Sequence, residues 1–208
     1  MHQEAVSENH YNFSKYVFLG RWVSYWYQIK EVLDLRPNSL LVVGAGDEVV
    51  FDVISKYVKN IKTIDIDERL NPDIVGSVTS MPIEKDSFDL VLVAEVLEHL
   101  PFEEFEKCIL EISRVSRKYA VISLPHFGPP LKFSFKLPFL KEFFISLRLP
   151  LYHPKHKFNG QHYWEMGKMG FPPKLIKEKI LARFKILKEF VPYENQYHHF
   201  FVLEKNNL

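Results

Sequence analysis

Three short stretches hold residue types that could act together chemically. The first is Gly44-Ala45-Gly46, followed about 20 residues later by Asp65, with Ile66 beside it. Small residues let a ligand lie against the backbone. A carboxylate at that remove can accept hydrogen bonds from both hydroxyls of a ribose. A dinucleotide fingerprint would put a third glycine at position 49, where this chain has Val49. Glu48 at the same helix entrance would repel a pyrophosphate. The pattern therefore disfavours a nicotinamide dinucleotide and tolerates a cationic cofactor without phosphate.

The second stretch places Glu95, Glu98 and His99 just after an apolar run. The third is residues 158–165, where Asn159-Gly160 makes a turn. His162, Trp164 and Glu165 follow it as a possible general base, a stacking surface and an acid that could orient the imidazole. His126 is a second candidate base. His153 and His156 are separated by Pro154, which breaks regular helical pairing, and the single Cys108 is remote. No metal site is expected from that pair.

The elements that would position these groups alternate. Residues 11–34 read as an aromatic-rich helix, and 40–43 as a strand buried on both faces. A helix follows the glycine turn, with Asp47 as a plausible N-cap. Strands are expected at 61–66, 72–78, 88–94 and 120–124. A helix opening at Pro101 would have Glu103 and Glu104 in its first turn and Arg114, Arg117 and Lys118 in its last, suiting the helix dipole. Cys108 would lie in its buried stripe. A helix at 173–183 and two strands near 185–191 and 198–204 close the chain. The link between those two is so short that they should form an antiparallel hairpin. His198 and His199 would alternate faces of the last strand as structural residues. The fold class is thus α/β: a doubly wound, seven-stranded, mostly parallel sheet with an antiparallel C-terminal hairpin and a helical or irregular cap. In such a sheet ligands bind at the carboxyl ends of the strands, where the order reverses.

The 208 residues suit a single domain spanning 1–208, with a helical N-terminal cap at 1–36 and an insert or lid at 125–172 after strand five. Apolar residues at 47% are enough for a full core. A net charge of +1 gives no general pull toward nucleic acid or anionic lipid. The polar N-terminus lacks a secretory h-region, and the greasy stretches are interrupted too often to span a bilayer. With one cysteine and no leader, a cytoplasmic protein without stable membrane insertion is expected.

The order LLVVGAGDE, TIDIDE, GSVTSMPIEKDSFDLVLVAEVLEHL resembles the class I S-adenosylmethionine-dependent methyltransferases, in particular the large group with an L-E-H signature after strand four. The resemblance covers about residues 39–124. It implies S-adenosylmethionine as cofactor, with Gly44, Ala45 and Gly46 bordering the methionine portion and Asp65 on the ribose. Ser77 and Val78 would flank the adenine, Met81 would pack nearby, and Glu95 would lie beside the sulfonium end. Three positions depart from the group's pattern. Val42 replaces an acidic residue, Glu48 a third glycine, and Ser77 the aspartate that receives the adenine amino group.

Methyl transfer asks the protein mainly for orientation and a dry pocket. The insert should cover the reactive face. It carries seven basic side chains against two acidic ones, together with many aromatics. It could form a lid over a small-molecule acceptor that is anionic or partly apolar, with His162 as base, Glu165 orienting it and His126 as an alternative. It could equally be a packed structural cap. The expected function is methyl transfer to an unidentified small molecule. The alternative is a methyltransferase-like binding or scaffold protein whose cofactor site is weakened by Val42, Glu48 and Ser77.

Overall fold

A computed structural model of the chain describes residues 18–149 and 153–206. Helix α1 (Leu19–Asp34) is followed by β1 (Ser39–Val43), α2 (Val49–Ile54), β2 (Asn60–Asp65), β3 (Ile74–Val75) and β4 (Phe88–Ala94). Then come α3 (Phe105–Val115), β5 (Ser116–Pro125), β6 (Pro130–Phe135), β7 (Phe143–Arg148), α4 (Pro173–Leu181), β8 (Phe184–Phe190) and β9 (His198–Lys205). The part of the expected first helix before residue 18 lies outside the described residues.

Seven strands form one sheet in the order β3-β2-β1-β4-β5-β9-β8. β1 runs parallel to both β2 and β4, with Val43 opposite Ile64 and Val93. β9 runs antiparallel to β5 and β8. The mostly parallel sheet with one reversed strand, β9, in an antiparallel C-terminal hairpin is therefore the expected one. The order reverses between β1 and β4, which opens a crevice at their carboxyl ends.

Every residue of β1 is buried, because helices cover both faces of the sheet. Leu40, Val42, Leu90, Leu92, Val121 and Val202 face α1 and α2. Leu41, Val43, Val91, Val93, Ile122 and Phe201 face α3 and α4. In α3 the positions Phe105, Cys108, Ile109, Ile112 and Val115 recur at helical spacing and are all buried. Burial in this stripe pushes the Cys108 thiol up to about 12, so it is an inert core residue.

Four local expectations are corrected. Asp47 does not cap α2: its carboxylate accepts the Tyr25 hydroxyl instead, and the helix starts from Glu48 in a left-handed conformation, φ 59°. After Pro101 comes a 3-10 turn (Phe102–Glu104), and α3 proper starts at Phe105. Arg117 and Lys118 lie in β5, which starts four residues earlier than its apolar run, so only Arg114 sits in the last helical turn. Finally, the insert has no helix among its described residues. It holds an antiparallel hairpin, β6–β7, with Phe133 opposite Ile145. All of β6 is exposed, as is β7 up to Arg148.

Candidate functional site

The strands end abruptly where the crevice opens. Gly44 and Gly46 take φ values of 89° and 57°, a region costly for residues with a Cβ. The Gly44 N–H still donates to the Ile64 carbonyl (2.8 Å), which fixes the turn against β2. A Cβ on Gly44 would meet Val96 at 2.9 Å, whereas one on Gly46 would meet nothing within 4 Å. The cradle is thus tight toward the protein and open toward the crevice.

Asp65 is the other half of the cradle. One carboxylate oxygen accepts the Ala45 N–H and the other accepts the Asp67 N–H, each at 2.8 Å. Each oxygen keeps a second lone pair, which suits it to two ribose hydroxyls. Ile66 follows it, half-buried. Val78 and Met81 are both 4% exposed and belong to the core beneath α3. Ser77 is tied into its own turn: its hydroxyl is 2.9 Å from that of Thr79 and accepts the Thr79 N–H. The open cradle and the paired acceptors fit the methionine and ribose parts of S-adenosylmethionine.

At the end of β4, Glu95 has φ 55°, a conformation uncommon for a residue with a side chain. Its N–H donates to the Ser123 carbonyl, and one carboxylate oxygen accepts the Ser123 hydroxyl at 2.9 Å. The other lies 3.3 Å from Nε2 of His198. A chain of groups stands behind that imidazole. Asn195 donates to the Ser24 hydroxyl (2.9 Å), which is 2.5 Å from Nδ1 of His198. Burial first, then the charges of Arg21 and His162, pull His198 down to about 3, so it is neutral.

The 3-10 turn Leu97–His99 carries the L-E-H signature. Glu98 is fully buried, and neither of its carboxylate oxygens has a well-formed hydrogen bond. Burial pushes it up to about 8; Glu95 is raised by burial and by the charge of Glu98.

The insert docks onto this turn through main-chain and side-chain bonds. The Tyr163 N–H donates to the Glu98 carbonyl (2.8 Å), and the Trp164 indole donates to the Leu100 carbonyl (3.1 Å). His99 Nδ1 lies 3.1 Å from the Gln161 carbonyl. The expected Asn159-Gly160 turn is present: the Asn159 side chain accepts the N–H groups of Gln161 and His162. It delivers His162 with Nδ1 3.3 Å from Glu165 and Nε2 4.0 Å from Glu98. Burial opposes the charge on Glu165, but His162 and Lys168 more than offset it and hold the carboxyl near 2. Lys168 sits 2.9 Å away.

Trp164 is not a stacking surface for a ligand. It is fully buried among Phe102, Phe105 and Phe171 and belongs to the core. His126 stands apart from His162. It is buried, its Nδ1 is 2.8 Å from Nδ1 of His199, and its carbonyl accepts from Arg148. The structure therefore joins Glu95, Glu98, His99, His162 and Glu165 in one cluster and pairs His126 with His199. Sequence reasoning missed Tyr197, whose hydroxyl is 3.5 Å from His162, and the contact of His198 with Glu95. The only linear signal for these was their place at strand ends.

Residues 41–124 match the family described as "Methyltransferase domain". No curated protein matches the chain. Among solved structures, the N-methyltransferase NodS from Bradyrhizobium japonicum WM9, in complex with S-adenosylhomocysteine, is similar with a TM-score of 0.63 at 9% identity, over 97% of this chain and 94% of that one. DesVI of Streptomyces venezuelae gives a TM-score of 0.63 at 12% identity, over 98% and 100%. An S-adenosylmethionine-dependent methyltransferase from Clostridium acetobutylicum gives 0.60 at 10% identity, over 96% of each.

Proposed function

We propose, from the premise that the chain carries a class I S-adenosylmethionine-dependent methyltransferase domain, that it methylates a small molecule at a heteroatom that arrives protonated. S-adenosylmethionine supplies the methyl group, its carbon–sulfur bond breaking as the carbon–heteroatom bond forms and S-adenosylhomocysteine departs. Gly44, Ala45 and Gly46 leave room for the methionine part, Asp65 accepts the ribose hydroxyls, and Ser77, Val78 and Met81 border the adenine. Glu95 lies at the sulfonium end.

One observation carries the protonated-heteroatom reading. His162 has Nδ1 directed to Glu165 and the basic Nε2 directed into the buried cluster at the end of β4. With Nδ1–H donated, Nε2 holds the lone pair and takes the acceptor's proton. Glu165 keeps that tautomer in place. The insert's basic residues and exposed aromatics suit an acceptor that is anionic or partly apolar. Among the described residues no helix is long and apolar enough to cross a membrane.

The test is a small-molecule screen with radiolabelled methyl donor, preceded by calorimetry with S-adenosylhomocysteine. Binding with acceptor turnover, lost by about 10²–10⁴-fold in His162→Ala, is the expected result. Full turnover in that variant would remove the base. Absence of cofactor binding would favour a binding or scaffold protein, the reading that Val42, Glu48 and Ser77 support.

A further inference from the structure

We propose that Glu98, His99 and His162 form a binding site for one divalent transition-metal ion, placed between the L-E-H turn and the docked segment 158–165. Each of the three residues offers a ligand atom, and these atoms all lie within 4.8 Å of one another. Donors bound about 2.1 Å from one ion stand roughly 3–4 Å apart. The Glu98–His162 separation of 4.0 Å already falls in that range. Closing the widest gap needs side-chain shifts of about 1–2 Å.

The orientation of each ligand is independent support. His162 directs Nδ1 to Glu165, and His99 directs Nδ1 to the Gln161 carbonyl, its ring also engaging the Glu95 main chain, a contact that ligation would have to replace. Imidazoles that ligate metals are held in this way, with the second nitrogen donating to a carbonyl or carboxylate so that the first presents its lone pair. The two rings pack edge to face at 5.1 Å, which fixes them relative to each other.

Glu98 supplies the second observation. Its side chain is fully buried and both oxygens lack a well-formed hydrogen bond. An unmatched carboxylate in the interior is costly unless a proton or a cation joins it. Arg21 adds positive charge nearby but gives neither oxygen a hydrogen bond. Two imidazoles beside a carboxylate form a mixed nitrogen–oxygen set. That set suits zinc, manganese, iron(II) or cobalt better than magnesium or calcium, which prefer oxygen alone.

Three protein ligands leave coordination positions open. This deepens the proposed methyl transfer, on which the next step rests: with an ion held, a hydroxyl acceptor would bind it, release its proton to water because the ion lowers that proton's pKa, and take the methyl group as the bound oxyanion. Nε2 of His162 is then a ligand, so the base role belongs to the ion-free protein, and turnover of wild type and His162→Ala with chelator present is what tests that role.

The experiment titrates chelator-treated protein with Co2+ and follows its visible absorption. Saturation at about one equivalent is expected, with bands of nitrogen–oxygen ligation and Zn2+ displacing the probe. His99→Gln and His162→Gln should each weaken binding at least about tenfold, while S-adenosylhomocysteine affinity holds in His99→Gln. Glu98→Gln should also weaken it; should that variant fail to fold, the two histidine variants decide. Absence of bands, or bands unchanged in the double histidine variant, overturns the site. Metal binding without any methyl transfer leaves the site standing and defeats the proposed function instead. Methyl transfer insensitive to chelation retains the ion site and removes the hydroxyl assignment.

Discussion

The Nδ1 atoms of His126 and His199 lie 2.8 Å apart, with the two rings stacked at 5.0 Å. His199 Nε2 is 3.1 Å from Glu189, so Nε2 carries the proton and Nδ1 of His199 accepts from His126. Both imidazoles are therefore neutral in the folded protein.

That pairing predicts a pH dependence. Burial, then Arg148 and His199, pulls His126 down to about 3. Burial, with Glu189 opposing and Arg148 assisting, pulls His199 to about 4. Unfolded imidazoles protonate near 6.5. Between those values the unfolded chain binds more protons, so stability is whole above about pH 6.5 and falls as pH drops toward about 4. The slope should reach about 1.4 kcal/mol per pH unit for each histidine involved. Urea unfolding from pH 7.5 to about 4.5 measures it. A slope unchanged in His126→Asn and His199→Asn would disprove the assignment.

Asp65→Ala should weaken S-adenosylhomocysteine by about 10- to 100-fold, since charge-assisted hydrogen bonds contribute about 1.5–3 kcal/mol. The carboxylate also receives the Ala45 and Asp67 N–H groups, so thermal stability must be read alongside. Unaltered affinity by calorimetry in a folded variant would sink the ribose role.

Gly46→Ala separates strain from occupancy. Its Cβ meets no atom within 4 Å, but φ is 57°. Stability should fall by about 1–2 kcal/mol, while cofactor affinity falls further because the new methyl occupies the open side of the cradle. Equal cofactor affinity in wild type and variant would show that the ligand does not pass there.

Trp164→Ala should act on folding. A fully buried tryptophan replaced by alanine loses about 3–5 kcal/mol, and the Leu100 carbonyl loses its donor. Chemical denaturation reads this directly. A stable variant with an altered Michaelis constant would restore the ligand-stacking role.

The hairpin β6–β7 should exchange its amide hydrogens quickly in the free protein. Nearly all of its side chains are exposed, so little apolar burial holds it. Slowing on ligand addition would mark it as a lid. Slow exchange without ligand would mark it as packed.

The sheet was legible because strands buried on both faces read as unbroken apolar runs, as at 40–43 and 88–94. Gly44 and Asp65 were legible because each stands directly at a strand end. The hairpin was not. Leu131, Phe133 and Phe135 do alternate with Lys132, Ser134 and Lys136, a strand signal, but it lies among prolines and aromatics that blur it, and the structure leaves both faces exposed. Trp164 was misread because polar neighbours at 162 and 165 suggest exposure. Its indole N–H finds a distant carbonyl instead, a pairing invisible in a linear string. The Glu98–His99–His162 grouping joins residues about 60 apart through a docked loop, and no local spacing encodes that.

The docking of residues 158–165 has a consequence for how such a chain can diversify. Its bonds end on the main-chain carbonyls of Glu98 and Leu100, so substituting side chains in the turn leaves the acceptors of those bonds in place. Deleting the segment would strip both carbonyls of their partners. The exposed hairpin ahead of it satisfies no such groups in that turn. The insert thus divides into a strip bonded to the L-E-H turn and an exposed hairpin anchored by Arg148 on the His126 and Gln196 carbonyls, whose other side chains can change while both sets of bonds stay in place.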